Sequence, residues 1–196
     1  MSAVPNIAER TPQPSELVDA LNTLGVLFLC GGAGAPRTIE PDALLAALAT
    51  TPEARLRLAL IPLLLAHPEF AEDVHDALLV LPSDVAVTLR CYYTAAYWLQ
   101  LKYHTCLAAM RGQKPQLPDL FGEELHLPKQ MTPDAALHAL ALRQQELTGR
   151  ILNWRGTYEH AIQNWLCFVE HDNRWRNRAE TQSARSYAPT SSAPII

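Results

Sequence analysis

The chain has 196 residues, a formal net charge of −4, 48% apolar residues and only 18% charged ones. That length suits one domain able to bury a core without staples. The four cysteines (Cys30, Cys91, Cys106, Cys167) are far apart with no Cys-x-x-Cys pair, which argues against a disulfide framework or a zinc site and for free thiols in a reducing compartment.

The apolar excess is mostly Leu and Ala with little period-two alternation, so the fold class expected is all-α. The longest apolar run, residues 58–66, is broken by Pro62 and is too short to cross a bilayer. With no apolar signal core in residues 1–14, the reading is cytoplasmic and soluble, with no membrane partner. The low charge hints at apolar surface kept for a partner or for self-association.

Residues 1–14 hold three prolines and read as an extended arm. Ser15 is the expected N-cap of a helix over SELVDALNTL, with Gly25 to end it. VLFLC, residues 26–30, fits either a short strand or a buried helical continuation. CGGAGAPR, residues 30–37, has the glycines to cradle a phosphate. It lacks both the Gly-x-Gly-x-x-Gly spacing and a following Lys-Ser/Thr, so it reads as a turn.

A repeated grammar then marks helix starts: Glu40-Pro41-Asp42, Thr51-Pro52-Glu53, His67-Pro68-Glu69 and Thr132-Pro133-Asp134. Proline at the first helical position loses no hydrogen bond, and the acid meets the positive end of the dipole. The second helix, EARLRLALIPLLLAH, is apolar nearly all round and should be buried and kinked at Pro62. The third, PEFAEDVHDALLVL, places Phe70, Val74, Leu78 and Leu81 on one face.

Residues 82–112 contain no internal proline or glycine. Val85, Leu89, Tyr92, Ala96, Leu99, Tyr103, Cys106 and Met110 recur at steps of four and three. The spacing predicts one long central helix over 83–111, with about six to seven helices packed around it as an irregular bundle. A second stripe, Tyr93, Tyr97, Gln100 and His104, is made of polar-tipped residues suited either to an interface or to a satisfied core.

Residues 112–118 read as a loop, and 119–130 as holding one surface-laid helical turn anchored by Leu120 and Phe121. A helix over 132–148 turns Leu137, Leu140, Ala141 and Leu147 inward and is broken at Gly149 or Gly156. A last helix from Thr157 to about Arg176 presents Tyr158, Ala161, Trp165, Phe168 and Val169. The domain expected is thus 15–178, with a flexible tail over 179–196 rich in Ser, Thr, Ala and Pro.

Several patterns bear on chemistry. Arg155-Gly-Thr-Tyr-Glu-His160, an Arg and a His flanking four residues at the start of a late helix, resembles the signature of HEPN-type ribonucleases. The resemblance implies a small helical domain of a toxin–antitoxin or defence pair. It makes His160 the acid/base and Arg155 the phosphate ligand in a cleft formed by dimerisation. A polar residue usually follows that Arg, whereas Gly156 stands here. The plainer alternative pairs Arg155 with Glu159 and half-buries His160.

His160, Asn164, Cys167 and His171 follow one stripe, but too few ligands converge for zinc. The acids and His75 over 69–76, and Glu123-Glu-Leu-His126, read as solvated faces. Residues 143–196 carry seven arginines against five acids, a tilt concentrated in Arg174, Arg176 and Arg178 around Trp175. That cluster suits RNA or an acidic protein surface, or else a solvated helix end.

No set of residues composes a persuasive catalytic centre, and no cofactor or metal is called for. The reading therefore leans to a non-enzymatic helical interaction or regulatory module, bound to another protein or to itself. Its candidate interaction residues are Tyr93, Tyr97, Gln100, His104, Arg174, Trp175, Arg176 and Arg178. The alternatives are a HEPN-like ribonuclease and a nucleic-acid-associated subunit using the arginine cluster.

Overall fold

The computed structural model describes residues 12–26, 36 and 38–186, with side chains through residue 174. The expected arm over 1–11, the 27–35 stretch, Arg37 and the last ten residues lie outside them. Every regular element among the described residues is a helix.

Helix α1 (Pro14–Thr23) opens one residue before the expected Ser15 cap, because Pro14 takes the first helical position. The carboxylate of Glu16 accepts from the Gln13 N–H at 2.8 Å. Gly25, at φ 70°, ends it as expected. Helices α2 (Pro41–Thr50) and α8 (Pro133–Thr148) start where their prolines predicted, and the Thr132 hydroxyl accepts from the Ala135 N–H.

The other two starts differ. Pro52 stands ahead of α3 (Ala54–Leu58), and Pro68 opens only a 3-10 turn, Pro68–Ala71, before α5 (Val74–Leu79). The kink expected at Pro62 is a break at Ala59, which separates α3 from α4 (Leu60–Ala66). Pro62 has no N–H for the Leu58 carbonyl and its ring crowds that turn, so the ladder is interrupted just before it. Every residue of α4 is buried.

The long central helix is divided as well, into α6 (Ser83–Lys102) and α7 (His104–Arg111). The break is at Tyr103, φ −104° and ψ 17°. There the His104 ring Nδ1 hydrogen-bonds the Leu101 carbonyl at 3.1 Å, the acceptor that the next turn would use. The apolar stripe holds as far as Leu99 and then runs out. Cys106 is exposed and no residue of α7 is buried.

Helix α6 packs against α4 and α8 most extensively, and against α2 and α9 (Trp154–Ser186). Two residues of its second stripe, Tyr93 and Gln100, meet the irregular segment 115–127. The Tyr93 hydroxyl donates to the Pro118 carbonyl at 2.9 Å. Gln100 Nε2 donates to the Pro115 carbonyl at 2.9 Å, and Oε1 accepts from the Leu117 N–H at 2.7 Å. Phe121 sets its edge on Tyr93, with ring centroids 5.4 Å apart. Leu117, Phe121, Leu125 and Leu127 are buried beneath this strap. The one helical turn expected in it is present, from the Phe121 carbonyl to the Leu125 N–H, and closes at His126 with φ 56°.

Gly149, at φ 64°, ends α8, whereas Gly156 lies within the first turn of α9 and breaks nothing. The Asn153 Oδ1 accepts from the Gly156 N–H at 2.9 Å, and a Cβ at 156 would fall 2.5 Å from Asn153 Nδ2. Leu147, expected inward, is 40% exposed, because it faces a cleft between α8 and the start of α6. Helix α9 continues to Ser186, beyond the boundary expected at Arg178.

The strap yields a prediction. Gln100→Leu strands the buried Leu117 N–H without an acceptor, at a cost of about 1–3 kcal/mol. Urea unfolding should show that loss, and hydrogen exchange at the Leu117 amide should accelerate. Unchanged protection at Leu117 would mean that Gln100 does not hold the strap.

Candidate functional site

Helices α6, α8 and α9 are joined at one end by charge. Lys102, at the last position of α6, extends Nζ to Asp134 Oδ1 at 2.8 Å and to Glu159 Oε1 at 2.5 Å. Glu159 Oε2 accepts from the Tyr103 hydroxyl at 2.7 Å. Arg155 Nη2 donates to the same Asp134 oxygen at 2.9 Å. Two cations thus face two carboxylates.

Burial works against the Lys102 charge, but its bonds to Asp134 and Glu159 outweigh that and hold the ammonium above its usual range. Asp134 is held low, chiefly by the Lys102 bond. Burial and the Glu159 carboxylate push Tyr103 up. The plain pairing of Arg155 with Glu159 is therefore replaced by Arg155 with Asp134, since Glu159 is already taken by Lys102 and Tyr103.

His160 is exposed and its Nε2 hydrogen-bonds Asn164 Nδ2 at 2.9 Å. Five residues along a helix is about 140° around it, so Arg155 and His160 sit on different faces of α9. Of the second α6 stripe, Tyr93 and Gln100 are buried in this chain's own strap, while Tyr97 is half-buried and His104 exposed. The structure therefore removes Tyr93 and Gln100 from any outer surface. Arg174 is exposed and bonds Glu170 one turn back. The side chains of Trp175, Arg176 and Arg178 lie outside those described.

A site that sequence reasoning missed opens on the other side of α6. A cleft of about 530 Å3 lies where the ends of α2 and α8 meet α3 and the starts of α6 and α9. Two arginines line it, Arg57 from α3 and Arg150 from the connection between α8 and α9. Arg57 Nη1 donates to the Thr51 carbonyl at 2.5 Å and lies against the Tyr92 hydroxyl. Burial raises the Tyr92 hydroxyl, and Arg57 pulls against that rise.

Gln144 is 1% exposed, and its Oε1 accepts from the buried Tyr158 hydroxyl. Trp154 forms an apolar wall, its indole N–H fixed on the Arg150 carbonyl at 3.2 Å. The signal for this site was present in α8. Gln144 falls on the same inward register as Leu137 and Leu140, a polar residue where the pattern calls for an apolar one.

Among the described residues no helix is long and apolar enough to cross a membrane. No protein-family model matches the chain, and no curated protein or solved structure matches it either.

The charged network makes stability depend on pH in a definite direction. The raised Lys102 and Tyr103 contribute below their unfolded values, and that contribution is lost as pH rises through their folded ones. The lowered Asp134 contributes above its unfolded value, and that is lost as pH falls through its folded one. Urea midpoints should therefore be level from about pH 5 to about pH 9 and fall on both sides. Lys102→Met, which leaves Glu159 only 14% exposed and without its cation, should cost about 1–3 kcal/mol on the plateau and flatten the alkaline fall. An alkaline fall identical to the unaltered protein's would sink this assignment.

Proposed function

We propose that the protein is a non-enzymatic helical interaction module that pairs with a second copy of itself through the distal half of α9. The observation that carries this reading is the continuation of α9 past its last buried side chain. The helix has 33 residues, about 50 Å of rise, and Trp165 is the last residue of it that is buried among those described.

Beyond Trp165, Leu166 and Val169 are half-buried and Phe168 is 39% exposed. The end of α7 accompanies this part, through the Asn173 amide on the Met110 carbonyl at 3.4 Å and Arg111 over the Trp165 ring. Helices in water draw most of their stability from a packed apolar face, so a face of this kind favours a partner.

The order of charge favours a second copy as that partner. Acids come first in the distal half (Glu170, Asp172), and arginines follow (Arg174, Arg176, Arg178). An antiparallel pair centred near residue 174 sets positions 170 and 172 opposite 178 and 176, acid against arginine. A parallel pair sets like against like. The ribonuclease alternative gains less support, because Arg155 is engaged by Asp134 and His160 lies on another face.

Light scattering after size-exclusion chromatography should give a dimer at tens of micromolar. Phe168→Glu should shift the protein to monomer, leave helical circular dichroism nearly unchanged, since Phe168 is already exposed, and remove the dependence of the unfolding midpoint on protein concentration. A clean monomer at high concentration would remove the self-association. A salt-sensitive shift of labelled RNA, lost with Arg174→Ala and Arg176→Ala, would move the reading to nucleic acid. RNA cleavage abolished by His160→Ala would move it to the ribonuclease.

A further inference from the structure

The cleft beside α6 is independent of the α9 surface, and its polar groups have unused capacity. Arg57 bonds a carbonyl oxygen and lies on a phenol, and neither cancels its charge. The Arg150 guanidinium forms no ion pair with any described residue. Asp84, in the first turn of α6, is the one carboxylate on the lining among the described residues.

Uncharged donors stand beside the two cations. The Thr88 hydroxyl and the Gln144 Nε2 both line the cleft and hydrogen-bond no described group, although Gln144 is almost completely buried. The Gln144 Nε2 keeps its small remaining accessibility on the cleft side, where a ligand oxygen can accept from it. Guanidinium forks match the oxygens of phosphate and carboxylate in twos, so cations without counter-ions next to spare N–H and O–H donors are suited to an oxyanion.

The size and walls say more about the ligand. A space of about 530 Å3 is several times larger than a bare phosphate and falls within the range usual for small-molecule sites. Trp154 and the stem of Leu58 give it apolar walls for an organic body.

The geometry points to a binding site for a small organic dianion, a phosphate monoester or a dicarboxylate, held between Arg57 and Arg150 with Thr88 and Gln144 donating to its oxygens. Arg150 sits on the short connection after Gly149, so the ligand joins α3 to the junction of α8 and α9. The anion supplies the counter-charge that the two guanidinium groups lack among the described residues. Asp84 limits the charge accepted, because a ligand oxygen brought near it is repelled.

Calorimetric titration with uridine monophosphate, succinate and inorganic phosphate tests the site, with tryptophan fluorescence as a second readout through Trp154. At least one organic dianion should bind with a dissociation constant below about 1 mM. It should bind more tightly than inorganic phosphate, and the preference between the first two probes identifies the head group. Arg150→Met removes an exposed side chain with no ion-pair partner and should weaken binding about tenfold or more without lowering the unfolding midpoint. Arg57→Met should weaken it at least as much, and Asp84→Asn should tighten it. Failure of all three anions to bind at about 10 mM overturns the site, as does binding that Arg150→Met and Arg57→Met leave unchanged.

Discussion

From Cys91 to Ala96 every residue of α6 is buried. Six consecutive positions pass through more than a full turn, so that part of the helix has no outer side and must be enclosed from all directions. Helices α4 and α8 enclose most of it, with α2 and α9. One arc remains, and the irregular strap over 115–127 closes it. Because the strap has no helical ladder of its own there, its carbonyls and N–H groups need partners, and Gln100 and Tyr93 supply them. Polar residues on the buried side of a helix are here the means by which a non-helical segment is kept in the core.

The same enclosure explains the chemistry of the interior. Cys91, between α6 and α8, has its thiol pushed up to about 12 by burial, which leaves it inert, while Cys106 and Cys167 are exposed. Tyr158 is fully buried against Tyr92, edge to face, and spends its hydroxyl on Gln144. Charge is confined to the rim. The network of Lys102, Asp134, Arg155 and Glu159 pins the ends of three helices, and it stands where α6 stops being a continuous helix. A long α6–α7 rod would carry the stripe straight on, but the turn at Tyr103 directs that hydroxyl to Glu159 and leaves α7 to lie beside α9.

The two surfaces argued to act lie in different parts of the molecule and draw on different physics. The distal half of α9 offers apolar area and an ordered run of charge, suited to another helix. The cleft offers unpaired donors in a confined space, suited to a small anion. Arg150 and Trp154 flank the N-terminus of α9, so a ligand in the cleft would touch the root of the same helix whose far half carries the proposed pairing.

Sequence alone determined the all-α class and the helix starts at Pro41 and Pro133. It also determined the inward faces at Leu89, Leu99, Leu137, Leu140, Tyr158 and Trp165. These follow from local rules: proline geometry at a first turn and the period of an apolar face. What the sequence could not fix were the places where two local demands compete or where the deciding partner is distant in the chain. Pro62 and His104 each divide a run that reads as continuous. Gly156 reads as a breaker but serves the Asn153 cap. The Tyr93–Gln100 stripe fits an interface or a core equally well until the strap is seen to cover it. Of the cleft only the inward Gln144 left a mark in the sequence, because Arg57, Tyr92, Gln144 and Arg150 come from four separate segments. Only the tertiary packing sets around one space two cations that have no ion-pair partner among the described residues, and a spare amide donor.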